Sequence, residues 1–167
     1  MAAAVLCCCT HYSMSSGLIG GIRTVAIPTA ENETSEVDVA QRLTDRVSDA
    51  FLADGRLRVV DEESADALLL LRLERLEDAP FPFTASEVTE QYRFRLYSRA
   101  LLERVSDGSE LLLIDPLVGW GTYDASEPDE VEEPAPGEPP RLTRSRAVDA
   151  AMDMIIEEIV DRTTASW

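Results

Sequence analysis

Three arginines, Arg93, Arg95 and Arg99, stand at even spacings in the tract from Tyr92 to Leu102, and on an extended chain this places their guanidinium groups on one face. Such a row can make bidentate, charge-assisted bonds to phosphates or carboxylates, and Arg72 on a neighbouring tract can join it. The chain's own acids, Glu74 among them, offer a competing use as cross-strand partners. Trp120 and Tyr123 are candidate anchors for a binding partner, because aromatic side chains are enriched at the centres of interfaces. Catalytic chemistry is harder to assemble. The only histidine, His11, lies in an N-terminal stretch with no rigid scaffold to align it with a nucleophile. Acidic pairs are so abundant that their proximity has no diagnostic value without a cleft. Asp124, Glu127, Asp129 and Glu130 lack the alternating spacing and central glycine of an EF-hand loop, so a solvated charge run is expected there rather than a calcium site. The sequence therefore predicts a binding protein, with no catalytic residue, metal site or cofactor.

Charge narrows the partners. With 32 acidic and 15 basic residues the net charge is -17, which disfavours a nucleic-acid backbone as ligand. Every basic residue is arginine, a bias that a GC-rich genome explains as readily as a demand for planar donors. All three cysteines are adjacent, Cys7, Cys8 and Cys9, so the body of the chain can form neither a disulfide nor a multi-cysteine zinc site.

The elements that must position the arginine row are legible from periodicity. Ile22 to Ile27 is β-rich and ends at Pro28, which lacks a donor. The polar stretch Glu31 to Glu36 leads into a helix with apolar positions Val37, Ala40, Leu43, Val47, Ala50 and Phe51, stopped by Asp54-Gly55. Short strands follow at Leu57 to Val60 and at Ala67 to Leu76, where Leu69, Leu71 and Leu73 share a face. In the Tyr92 to Leu102 strand, Tyr92, Phe94, Leu96 and Ala100 oppose the arginines. Asp107-Gly108 turns the chain into a strand from Leu111 to about Trp120, in which Pro116 requires an edge position or a bulge. Residues Asp124 to Pro140 hold seven acids and five prolines and are expected to be a disordered loop. A closing helix, about Thr143 to Thr163, carries the stripe Val148, Ala151, Met152, Ile155 and Ile159.

This order predicts an α+β domain at 22–167, after a tether at 1–21. Its sheet is mainly antiparallel, four- to five-stranded, with two helices on one face, and its first two strands are a parallel pair joined through the first helix. Two helices with one apolar stripe each cover one side of a sheet, leaving the arginine face to solvent or a partner.

The opening MAAAVLCCC resembles the end of a bacterial lipoprotein signal, in which a leucine stands three places before the lipidated cysteine. Leu6 and Cys9 fit that spacing, with Val5 and Cys8 as the second choice. The chemistry suits a thiol, a strong nucleophile, and the acyl chains would supply membrane affinity. The run lacks a basic n-region and a full apolar core, so either the true start lies upstream of Met1 or the segment is a frayed apolar terminus.

Several phrases in order resemble the LPS-assembly lipoprotein family, LptE. They are Cys9-Thr10-His11-Tyr12, Ile22-Arg23-Thr24-Val25-Ala26-Ile27-Pro28, Glu31-Asn32-Glu33-Thr34, Asp54-Gly55-Arg56-Leu57-Arg58-Val59-Val60, Ala65-Asp66-Ala67, and Gly119-Trp120 with Tyr123. The resemblance implies a lipoprotein anchored at the periplasmic face of the outer membrane. It would sit in a large β-barrel partner that it helps to assemble, and would assist delivery of lipopolysaccharide to the cell surface. A periplasmic binding or scaffold lipoprotein of unknown ligand is the alternative.

Overall fold

The computed structural model describes residues 19–80, 91–124 and 142–164 of the chain. The cysteines, His11 and the tract at 125–141 therefore lie outside the described residues. In chain order the elements are β1 (Thr24–Ala26), β2 (Glu31–Asn32), α1 (Val37–Asp54), β3 (Arg58–Val59), β4 (Ala67–Pro80), β5 (Gln91–Arg104), β6 (Glu110–Asp124) and α2 (Arg144–Thr164). The sheet has six strands in the order β3-β1-β4-β5-β6, with β2 added beside β1 on the β4 edge. The pairs β1 to β3, β1 to β4 and β2 to β4 are parallel, while the long strands β4, β5 and β6 run antiparallel. The α+β class and the parallel β1–β3 crossover match the expectation. The polar Glu31–Glu36 stretch does more than lead into α1, because Glu31 and Asn32 pair with Arg72 and Leu73 as a short strand.

Helix α1 ends where its sequence demands. Gly55 takes a left-handed conformation, φ 70°, and donates its N–H to the Phe51 carbonyl. Its buried stripe is Val39, Ala40, Leu43, Thr44, Val47 and Phe51, whereas Val37, expected on that stripe, is 87% exposed. Val37 is the first helical residue, and the buried stripe begins only at Val39 and Ala40. In α2 the expected residues Val148, Ala151, Met152, Ile155 and Ile159 are all buried. The helices are tied to each other by Arg42, which bonds Asp149 at 2.7 Å, and by Arg46, which reaches Asp149 at 3.2 Å and also Asp153.

Beneath the helices lie Leu69, Leu71 and Leu73 of β4, Phe94, Leu96, Ala100 and Leu102 of β5, and Ile114 and Leu117 of β6. Each large side chain fully buried here contributes about 1.5–3 kcal/mol relative to exposure. Pro116 satisfies both of its sequence requirements. It lies on edge strand β6, at a register break between Ser98 and Ala100 of β5, and the buried Ser98 hydroxyl donates to the Leu117 carbonyl at 3.1 Å beside the break.

The start of the sheet is held by Asp66, whose carboxylate accepts the backbone N–H groups of Arg23 at 2.8 Å and Thr24 at 3.0 Å. The Thr24 hydroxyl in turn accepts the Asp66 N–H at 2.8 Å. The bonds from the Arg23 and then the Thr24 backbone hold the Asp66 carboxyl below its ordinary pKa of 3.8. Its contribution to stability is therefore complete above the unfolded-state pKa and is lost as pH falls through the lower folded-state value. An Asp66→Ala variant should melt at a lower temperature than wild type near neutral pH. In thermal scans at successive pH values the gap should close in acid below 3.8. A gap independent of pH would assign the effect to packing instead.

Candidate partner-binding face

The sheet face away from the helices is built by alternation along three long strands. On β5 it presents Arg93, Arg95, Tyr97, Arg99 and Leu101, whose cross-strand partners include Thr122, Trp120, Val118 and Leu113 of β6. On β4 it presents Leu70 and Arg72 and then, beyond a register shift at Glu74, Arg75 and Glu77. That bulge puts Arg72 and Arg75, an odd number of residues apart, on the same face. Nothing in the local sequence marks it, since no glycine or proline is present, and Arg75 and Glu77 were missed for that reason.

The four arginines expected to cluster do share this face, and each has company. Arg72 pairs with Glu33 and reaches Glu31 at 3.7 Å. Arg99 bonds Glu74 at 2.7 Å and has Asp115 at 3.8 Å. Arg95 reaches Glu77 at 3.4 Å, and the same carboxylate accepts the Tyr97 hydroxyl at 3.0 Å. Arg75 lies 3.6 Å from the centroid of the Tyr97 ring, and Arg93 lies 4.8 Å from that of Trp120. The bond that Arg99 donates to Glu74 and the charge of Asp115 raise the Arg99 pKa, and the bond that Arg72 donates to Glu33 raises that of Arg72, so both remain cations. Cross-strand pairing thus occupies Arg72, Arg95 and Arg99, while Arg93 packs on an aromatic ring.

Trp120 is on this face and is 43% exposed, with Leu113 at 42% and Leu70 at 36%. Tyr123 is not with it. Three residues along a strand reverse the side, so Tyr123 stacks on Tyr92, centroids 5.7 Å apart, and donates to Asp78 at 3.0 Å beneath α2. The two aromatic anchors proposed from sequence are therefore separated by the sheet itself. Among the described residues no group of three or more His, Cys, Asp or Glu side chains is arranged to hold a metal ion, and no helix is long and apolar enough to cross a membrane.

No family model and no curated protein matches the sequence. Several solved structures share its fold. The PelC dodecamer from Paraburkholderia phytofirmans is 15% identical, with a TM-score of 0.52 over 85% of this chain and 89% of that one. The hypothetical protein CT253 from Chlamydia trachomatis is 9% identical, with a TM-score of 0.52 over 84% and 94%. A minor lipoprotein from Acinetobacter baumannii is 11% identical, with a TM-score of 0.50 over 84% and 90%. At these identities the likeness is one of fold.

Proposed function

We propose that this chain is a lipid-anchored protein of the bacterial cell envelope that catalyses no reaction and uses its open sheet face to dock on a partner protein. The observation that carries this reading is the face itself: Leu70, Leu113 and Trp120 stand exposed among ion-paired arginines, on the side that the helices leave uncovered. Exposed aromatic and aliphatic groups ringed by polar side chains are the usual composition of a docking surface. The anchor is supported by the Leu6 to Cys9 spacing and by a fold shared with a protein described as a minor lipoprotein. The more specific form of the reading follows from the resemblance to the LptE family. In that form the partner is an outer-membrane β-barrel, the anchor is at Cys9, and the task is lipopolysaccharide assembly.

Isolation of the mature protein from solubilised outer membranes tests that form. A barrel, recognised by its heat-modifiable migration and by mass spectrometry, should accompany the wild-type chain and be lost from a folded Leu113→Ser/Trp120→Ala variant. Failure of any barrel to accompany the wild-type chain would leave the scaffold lipoprotein of unknown ligand as the better reading.

A further inference from the structure

The uncovered face is not uniform, and its charge distribution bears on what it binds. Val25 and Ala26 pair with Ala67 and Leu68, and Glu31 and Asn32 pair with Arg72 and Leu73. The connection at 27–30 thus stands opposite only the stretch at 69–71, and its Pro28 has no N–H to give to the ladder. Beside this mismatch lies a cavity of about 310 Å³, walled by Pro28 and Thr29 and floored by Leu70 and Leu101, with Arg72 and Arg99 at its rim. Around those two guanidinium groups stand four carboxylates, Glu31, Glu33, Glu74 and Asp115. Of these only Glu31 lines the cavity itself, while Glu33, Glu74 and Asp115 pair with its two arginines, and the six charged groups together carry two net negative charges. At the other end of the face the balance reverses, with Arg75, Arg93 and Arg95 against Glu77 alone among the residues described above.

We propose that this groove accepts an apolar side chain flanked by lysine or arginine, presented by an extended segment of the partner protein. The inference rests on the docking reading and specifies the partner's chemistry. A leucine-sized group fills the apolar floor, and the flanking basic stems lie along Leu70 and Leu101 while their heads reach the exposed carboxylates. A phosphate or carboxylate entering the same groove meets arginine donors already engaged by Glu33 and Glu74, surroundings of net negative charge and a chain of net charge -17. Charge complementarity thus favours a cationic, partly apolar protein segment over the phosphates of a lipid headgroup.

The test uses the full chain and three synthetic ligands: the peptides Gly-Lys-Leu-Lys-Gly and Gly-Glu-Leu-Glu-Gly, and dodecyl phosphate. Amide shifts in two-dimensional NMR titrations report both affinity and location. The lysine peptide should move the amides of Thr29, Leu70 and Leu101 saturably. Its Kd should rise at least about fivefold in Glu31→Gln/Glu33→Gln and in Leu70→Ser, and change less than about twofold in Glu157→Gln/Asp161→Asn, which neutralises two exposed acids of α2 on the opposite side of the sheet. Tighter binding of either anionic ligand would overturn the charge assignment while leaving the docking face intact. Shifts that are absent, or unaltered by Glu31→Gln/Glu33→Gln, would overturn the groove as the site. The docking reading itself stands or falls separately, on whether Leu70, Leu113 and Trp120 of the open face cross-link to a partner protein in cells.

Discussion

Replacing Gly119 by alanine should cost about 3 kcal/mol of folding stability, and Gly121→Ala about as much, although each adds one methyl group. A Cβ on Gly119 would lie 2.7 Å from the carbonyl carbon of Ala151, and one on Gly121 would lie 2.6 Å from the Cα of Ala147. Both obstacles are backbone atoms of α2, which cannot swing aside as a side chain would. Relief requires moving the helix off β6, and with it the packing of Met152 and Ile155, which are fully buried. The pattern on the two elements is reciprocal: glycines two apart on the strand face alanines four apart on the helix, which is the spacing of same-side residues in each. Denaturant titrations should show a lower midpoint with little change in slope. Thr122→Ala, on the open face of the same strand, should stay within about 0.5 kcal/mol of wild type. Equal effects at Thr122 and Gly119 would mean that close helix approach is not what these glycines provide.

Arg144→Met should cost about 2 kcal/mol, the largest loss expected from any single charge among the described residues. At the first turn of α2, Arg144 bonds Glu36 at 2.6 Å and Asp78 at 3.0 Å, and its guanidinium lies 5.2 Å from the centre of the Phe94 ring. One side chain thus joins α2, the entry to α1 and β4. Burial works to lower its pKa, but the bonds to Glu36 and Asp78 outweigh it and raise the pKa, so the group stays charged. Burial and then the bond to Asp78 raise the pKa of the neighbouring Tyr123 phenol, which therefore remains a donor at neutral pH. All three charged groups are about 30% exposed, which places the cost below that of breaking a fully buried pair. Methionine keeps the apolar stem but leaves two carboxylates facing each other. Adding Asp78→Asn to Arg144→Met should therefore recover part of the loss, and chemical denaturation of the single and double variants measures the coupling. Strict additivity would show that Arg144 acts through packing alone.

The sequence carried the regular parts of this fold and concealed its irregular ones. Period-two alternation in β5 placed Phe94 and Leu96 inside and Arg93, Arg95 and Arg99 outside, because an unbroken strand obeys the pleat. The stop of α1 was legible in Gly55, since few residues other than glycine adopt its left-handed conformation. The register shift at Glu74 was not legible. A bulge without glycine or proline leaves no compositional mark, and it decides on which side Arg75 and Glu77 project. Tyr123 was grouped with Trp120 by chemistry when strand parity alone separates them. The pairing of Arg72 with Glu33 depends on β2, a strand too short to produce any periodicity. For the candidate site, then, the row of arginines could be read along one strand, while their carboxylate partners come from segments that only the folded sheet brings near.

Whether the uncovered face is where this protein meets its partner can be measured directly in cells by placing a photo-reactive amino acid at one exposed position at a time. Trp120, Leu113 and Leu70 sample the sheet face, and Leu52 and Met154, 63% and 39% exposed, sample the two helices on the opposite side. Irradiation of intact envelopes should join the sheet-face positions to one and the same membrane protein, with Leu52 and Met154 giving none of that product. Cross-links to that protein from the helix positions, with the sheet-face positions silent, would contradict docking through the open face and place the interface on the helical layer.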